Sequence, residues 1–165
     1  DRAGVCAVLY ALDLLKEEKE LPVRIAVLFA AQEEVGCRGS KIAAFNIDPD
    51  YAVAVDVSFA QSKGLNCPQA GELGNGAMIG IAASLSREIS QKLINIAKDK
   101  EIPYQIEAMS GTTGTDADSI TLTKSGIATG LISIPQRYMH TPCEVVDTED
   151  IKSAGMLMAE FIKSM

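Results

Sequence analysis

Residues 23–57, VRIAVLFAAQEEVGCRGSKIAAFNIDPDYAVAVDV, decide the fold. They open on Val23–Ala31, apolar throughout except for Arg24, and close on Tyr51–Val57, apolar along its length except for Asp56. Continuous apolar runs of this length, with no polar alternation, predict strands covered on both faces, because a half-exposed strand alternates. Between them a short helix is expected around Gly39–Ala44. Buried strands separated by helices call for a sheet with helices packed against it.

Working outward, the same alternation continues. Upstream, Val5, Val8, Leu9, Ala11, Leu12 and Leu15 recur at helical spacing and predict a helix over Ala3–Lys19, broken by Leu21-Pro22. Downstream, Ser58–Gly76 is rich in Gly, Pro, Asn, Ser and Gln and reads as an irregular loop. Ala77–Ile81 and Tyr104–Ala108 read as strands, and Ser86–Lys100 as an amphipathic helix capped by Ser86. Ser110–Asp118 reads as a second loop, Ser119–Lys124 as a short helix, Ile127–Ile134 as a third fully apolar strand, and Thr148 as the cap of a helix to Met165. No internal repeat or domain boundary interrupts the pattern. The fold expected is α/β, a three-layer α/β/α sandwich around a mostly parallel mixed sheet.

Composition excludes several partners. With 15 Lys plus Arg against 22 Asp plus Glu, the net charge is −7, which repels a phosphate backbone and argues against nucleic acid. The longest apolar runs, Val23–Ala31 and Ile127–Pro135, fall well short of the roughly 20 residues of a membrane span. Cys6, Cys37, Cys67 and Cys143 make no Cys-x-x-Cys pair, so free thiols of a cytoplasmic protein are expected. The chain opens at Asp1 with neither an initiator Met nor a leader, and reads as a piece of a longer protein.

Chemistry should collect beyond the carboxyl ends of the strands, where loops gather polar groups over a rigid platform. Val23–Ala31 leads to Glu33-Glu34, Tyr51–Val57 carries Asp56, and Ile127–Ile134 leads to His140. Carboxylates with an imidazole suit Zn²⁺, Co²⁺ or Mn²⁺. Adjacent glutamates can divide two tasks, one binding metal while the other accepts a proton. Each residue also has an ordinary reading: a solvated glutamate pair, a structural histidine. Asp56 resists it most, since an unpaired charge inside an apolar strand is costly.

Six motifs, in order and spacing, carry a family resemblance: Asp-Arg-Ala-Gly at 1–4, Gln-Glu-Glu-Val-Gly at 32–36, Val-Asp-Val at 55–57, Leu-Gly-Asn-Gly at 73–76, Gly-Thr-Asp-Ala at 114–117 and Ile-Pro-Gln-Arg-Tyr-Met-His-Thr-Pro at 134–142. Together they resemble the M42 metallo-aminopeptidases, which include glutamyl aminopeptidases, tetrahedral dodecameric peptidases and proteins once labelled endoglucanases. The resemblance implies a zinc-peptidase-like fold, incomplete at its N-terminus, and an enzyme that hydrolyses N-terminal residues from peptides. It implies two divalent metal ions, zinc or cobalt, with Glu34, Asp56 and His140 as ligands and Glu33 as the general base acting on a metal-bridging water. Asp116 would belong to a loop near the site, and Asp1 to its substrate-binding or supporting residues. A homo-oligomer, a dodecamer in part of the family, is implied for the full-length protein.

The departures are informative too. Such a site uses two histidines, two aspartates and a glutamate, whereas this chain has one His. Asp1 falls in the second slot of the family's Asp-Asp/Asn-Arg/Lys sequence, which places the bridging Asp and the other His in an upstream half, along with an inserted oligomerisation domain. Residues 1–165 are thus expected to be the C-terminal half of a catalytic domain. A related carboxypeptidase or deacylase, or a catalytically silent structural fragment, are the alternatives.

Overall fold

Asp1 starts the first helix: its carboxylate accepts the Gly4 N–H at 2.8 Å and caps α1 (Arg2–Leu15). The structure, a computed structural model, describes residues 1–65 and 67–165; Asn66, within the predicted loop Ser58–Gly76, lies outside the described residues. α1 buries Gly4, Ala7, Ala11 and Leu15 along one stripe. It stops at Leu15, short of the predicted Lys19, because Lys16-Glu17-Glu18-Lys19 offers nothing apolar to bury.

The remaining elements follow as α2 (Arg38–Ile47), β1 (Tyr51–Phe59), β2 (Ala77–Ile81), α3 (Arg87–Asp99), β3 (Tyr104–Ala108), α4 (Asp116–Thr121), β4 (Ala128–Arg137), β5 (Val145–Val146) and α5 (Thr148–Lys163). The sheet has the order β1-β4-β2-β3, with β5 paired to the end of β4. β1 lies parallel to β4 and β2 parallel to β3, while β2 meets β4 antiparallel, so the sheet is mixed, as expected. β4 is buried from Thr129 to Gln136 because it runs between two neighbours and beneath helices on both faces.

One face carries α1, α3 and α5 over a core that includes Ala7, Ala11, Ile89, Leu93, Ile132, Ile134 and Leu157. The other carries α2 and α4, where Ala117 packs on Ala54 and Leu131, and Ile120 packs on Ala44 and Ile127. This is the three-layer α/β/α arrangement. None of the helices among the described residues is long and apolar enough to cross a membrane.

The clearest departure is Val23–Ala31, which forms no strand. The segment has no ladder partner, and Val27, Leu28 and Phe29 are 41%, 39% and 52% exposed. Its composition suits a covered strand, but a strand exists only through its neighbours, and none of the described residues pairs with it. One helix start and one cap also shift. Thr115 caps α4, its hydroxyl accepting the Ala117 N–H at 3.2 Å, so the helix starts at Asp116 rather than Ser119. Asp147, not Thr148, caps α5, accepting the Glu149 N–H at 2.9 Å. The loop after β1 is tied down at its far end, where the fully buried Asp150 accepts the N–H groups of Gly74 at 2.8 Å and Gly76 at 2.7 Å.

Candidate metal centre

Glu33 and Glu34 lie in a single 3-10 turn, Glu33–Val35, between Gln32 and Gly36, both in the left-handed region with φ of 62° and 109°. The turn is anchored to α2: Gly36 and Cys37 both donate N–H to the Glu33 carbonyl at 2.9 Å, and Gly39 donates to the Ala31 carbonyl at 3.0 Å. Gly39 is required for that approach, since a Cβ there would stand 2.5 Å from the Ala31 oxygen.

His140 arrives from beyond β4. It sits at φ 60° in the loop that leads to β5, and its N–H donates to Glu144 Oε1 at 2.8 Å. Its Nε2 lies 3.1 Å from Glu34 Oε1, so two residues 106 positions apart in sequence meet. Both side chains are largely exposed. Asp56 stands on β1 opposite Ser133, its carboxylate accepting the N–H of the adjacent Val57 at 2.8 Å. Burial pushes its pKa up to about 6, and the negative charges of Glu33 and Asp116 push the same way. Glu33 is raised as well, first by burial and then by the charges of Glu34 and Asp116.

Glu33, Glu34, Asp56, Asp116, His140 and Asp1 thus line one groove of about 1720 Å³. They are not all engaged alike. Asp1 is committed to capping α1, and Asp116 accepts a hydrogen bond from the fully buried Ser40 hydroxyl at 2.6 Å, which ties α4 to α2. Among the described residues no three His, Cys, Asp or Glu side chains stand close enough together to hold a cation. The donor types nevertheless fit one. Asp56 sits in an apolar strand near the carboxylates of Glu33 and Asp116, no cationic side chain among the described residues is bonded to it, and a divalent ion would supply positive charge there.

Sequence reasoning passed over a second group in the groove. Glu107, 5% exposed on β3, accepts a hydrogen bond from the Ser133 hydroxyl at 2.7 Å on one oxygen and from the Ser58 hydroxyl on the other. Its signal is a charge inside a strand, as for Asp56, but Tyr104–Ala108 alternates polar with apolar residues, and a carboxylate in such a strand does not stand out as one in an apolar run does. Cys37 was also passed over. Its sulfur lies 3.7 Å from Glu33 Oε1 and 3.5 Å from the Thr115 carbonyl, and burial pushes the thiol pKa up.

Comparison with known proteins extends these observations. Residues 1–157 match the M42 glutamyl aminopeptidase family. The lysyl aminopeptidase of Pyrococcus furiosus is 34% identical over all of this chain and 47% of its own length. An aminopeptidase structure from the archaeon Desulfurococcus kamchatkensis superposes with a TM-score of 0.91 at 39% identity, again over the whole of this chain and 47% of that one. The TET1 peptidase of Pyrococcus horikoshii, described as assembling into a tetrahedron or a large octahedral shell, gives 0.81 at 30% identity over 100% of this chain and 48% of its own. The chain therefore spans about half the length of the relatives it matches. With the family matched along nearly its whole length, and the fold shared from end to end, this chain belongs to the M42 glutamyl aminopeptidase family.

Proposed function

We propose that residues 1–165 form the C-terminal half of the catalytic domain of a dinuclear metal-dependent aminopeptidase. The observation that carries the proposal is the meeting of Glu34 with His140, in a groove shared with Asp56 and a Glu33 of raised pKa. Glu34, Asp56 and His140 would hold divalent cations, zinc or cobalt, which supply Lewis-acid polarisation of the scissile carbonyl and offset the negative charge around it.

Glu33 is the general base in this reading. It takes a proton from the attacking water and returns it to the leaving amine nitrogen, and burial, by raising its pKa, makes it a stronger base for the first step. Glu34, on the same turn, makes the contact with His140 instead, so the two adjacent carboxylates divide base and ligand between them. The substrate's free α-ammonium group enters a groove walled by Glu33, Asp56, Glu107 and Asp116, whose negative charge favours an uncapped N-terminus. Asp116 and Asp1 support the rim through Ser40 and through the α1 cap.

Peptides are the substrates and the protein acts as a homo-oligomer, a reading supported by the TET1 assemblies. Four free thiols fit the reducing cytoplasm. The test is hydrolysis by the longer natural protein of aminoacyl-nitroanilides against N-acetylated counterparts and C-terminal-residue substrates. Cleavage confined to free N-termini is expected. Cleavage of blocked or C-terminal residues alone would assign the site to a deacylase or carboxypeptidase.

A further inference from the structure

Beyond the carboxyl ends of β1 and β4 lies a second, smaller pocket of about 480 Å³, lined by Gln61, Ser62, Lys63, Arg137 and Tyr138. Its place follows from the chain. β1 and β4 run parallel and finish side by side, Phe59 opposite Gln136. Phe59, Gln136 and His140 line the groove, while Gln61 and Arg137, one or two positions further along, line the pocket. Arg137 and His140 are three residues apart, so their backbones stand at most about 10 Å from each other, the reach of three extended residues.

The pocket is basic in an acidic protein. The chain carries a net charge of −7, yet Lys63 and Arg137 both stand here, and neither makes an ion pair among the described residues. Arg137 is held in place: its Nε donates to the Gln61 carbonyl at 2.7 Å. Gln61 is fixed in turn, its N–H donating to the Gly71 carbonyl at 2.7 Å and its side-chain amide to the Ala70 carbonyl at 3.2 Å. With Nε engaged, the two terminal nitrogens of the guanidinium have no hydrogen-bond partner among the described residues, and such a fork matches the two oxygens of a carboxylate. Lys63 adds an exposed charge, and Tyr138, 54% exposed, adds a hydroxyl.

We infer that this pocket takes a carboxylate on the leaving side of a peptide substrate, the free C-terminus of a short peptide or an acidic side chain of a longer one, gripped by Arg137 and attracted by Lys63. The inference rests on the aminopeptidase reading. In that reading the substrate's ammonium end lies among the carboxylates of the groove, so the rest of the peptide runs out past the scissile bond in the other direction. Two cations repel an ammonium group and attract a carboxylate, which assigns the pocket to that outgoing side. The short backbone between Arg137 and His140 sets the range at roughly one to three residues beyond the scissile bond. A zwitterionic peptide is then held at both ends, positive end in the groove and negative end in the pocket.

Hydrolysis of three tripeptides by the longer natural protein tests it. They share the N-terminal residue whose nitroanilide is cleaved fastest: one is a free acid, one its C-terminal amide, and one an amide that carries Glu as its last residue. The free acid and the Glu amide are expected to exceed the neutral amide in kcat/KM by at least about fivefold, an advantage that falls toward one in Arg137→Gln and Lys63→Gln and with added salt. Lys63 stands on an exposed loop, so its variant carries the test should Arg137→Gln not fold. An advantage confined to one of the two acidic substrates supports the site and says which carboxylate it seats. Equal cleavage of all three, or an advantage that survives the substitutions, overturns the inference and leaves the aminopeptidase standing. Cleavage of none overturns the aminopeptidase reading and the inference with it.

Discussion

Glu33 and Glu34 share one turn but face different partners. Its neighbour Glu34 reaches His140, while Glu33 faces the groove with a pKa raised by burial and by nearby carboxylates. Glu33→Gln in the longer protein is therefore expected to leave metal content unchanged and to lower turnover at least about a hundredfold, since general-base catalysis contributes about 10²–10⁴-fold. Parallel assays of metal and turnover check this, and an equal loss of metal would exchange the roles of the two glutamates. Asp56 was legible in the sequence because a carboxylate in Val-Ala-Val-Asp-Val has no cheap explanation. Glu107 was not, because its partners Ser58 and Ser133 come from two other strands, and nothing local in Tyr104–Ala108 announces them.

At the scale of elements, the sheet depends on helices locked across its face. α1 and α5 approach so closely at Gly155 that a Cβ there would stand 2.7 Å from a Tyr10 ring carbon and 2.9 Å from the Ala7 carbonyl oxygen. Gly155→Ala gains helix propensity of about 1 kcal/mol, but the backbone oxygen cannot give way as a side chain can. A net loss of roughly 1–2 kcal/mol is expected by urea unfolding. α5 is also tied by Glu160, whose carboxylate lies 2.9 Å from Lys100 Nζ and 3.2 Å from Lys163 Nζ. The hydrogen bond from Lys100 holds the Glu160 pKa below its ordinary 4.5. A carboxylate lowered in the folded state contributes stability above its unfolded pKa and loses it as pH falls through the folded value. Glu160→Gln is accordingly expected to unfold at lower urea than the parent at pH 7, by less than about 1 kcal/mol given the exposure of Lys100, with the gap closing below pH 4.5.

The elements that were legible are those whose signal is local. β2 falls on the predicted residues, and β1 and β4 on the predicted runs with longer carboxyl ends, because apolar continuity marks a covered strand, while β3 falls on its predicted residues through the alternation of Tyr104–Ala108. Ser86 caps α3 as its sequence indicates. Val23–Ala31 carries the same signal and yet forms no strand, since pairing is a property of neighbours rather than of composition. The start of α4 moved by three residues and the cap of α5 by one for a smaller reason: Thr115 and Asp147 each precede another capable capping residue, and only backbone geometry selects between them.

At the scale of the whole molecule, the chain spans about half the length of the relatives it matches. Glu34 and His140 meet, Asp56 lies in the same groove, and no three donors gather among the described residues. Loss of even one supporting partner typically weakens a metal site about 10–100-fold, so the 165-residue chain is expected to keep no metal, or one loosely held ion, through dialysis. The most direct measurement is metal content per chain of the longer natural protein after exhaustive dialysis, beside its His140→Ala variant. About two equivalents of zinc or cobalt in the natural protein, and no more than about one in the variant, are expected if His140 closes a two-metal site with Glu34 and Asp56. A natural protein that retains no metal, or a variant that keeps both equivalents as tightly, would contradict the assignment.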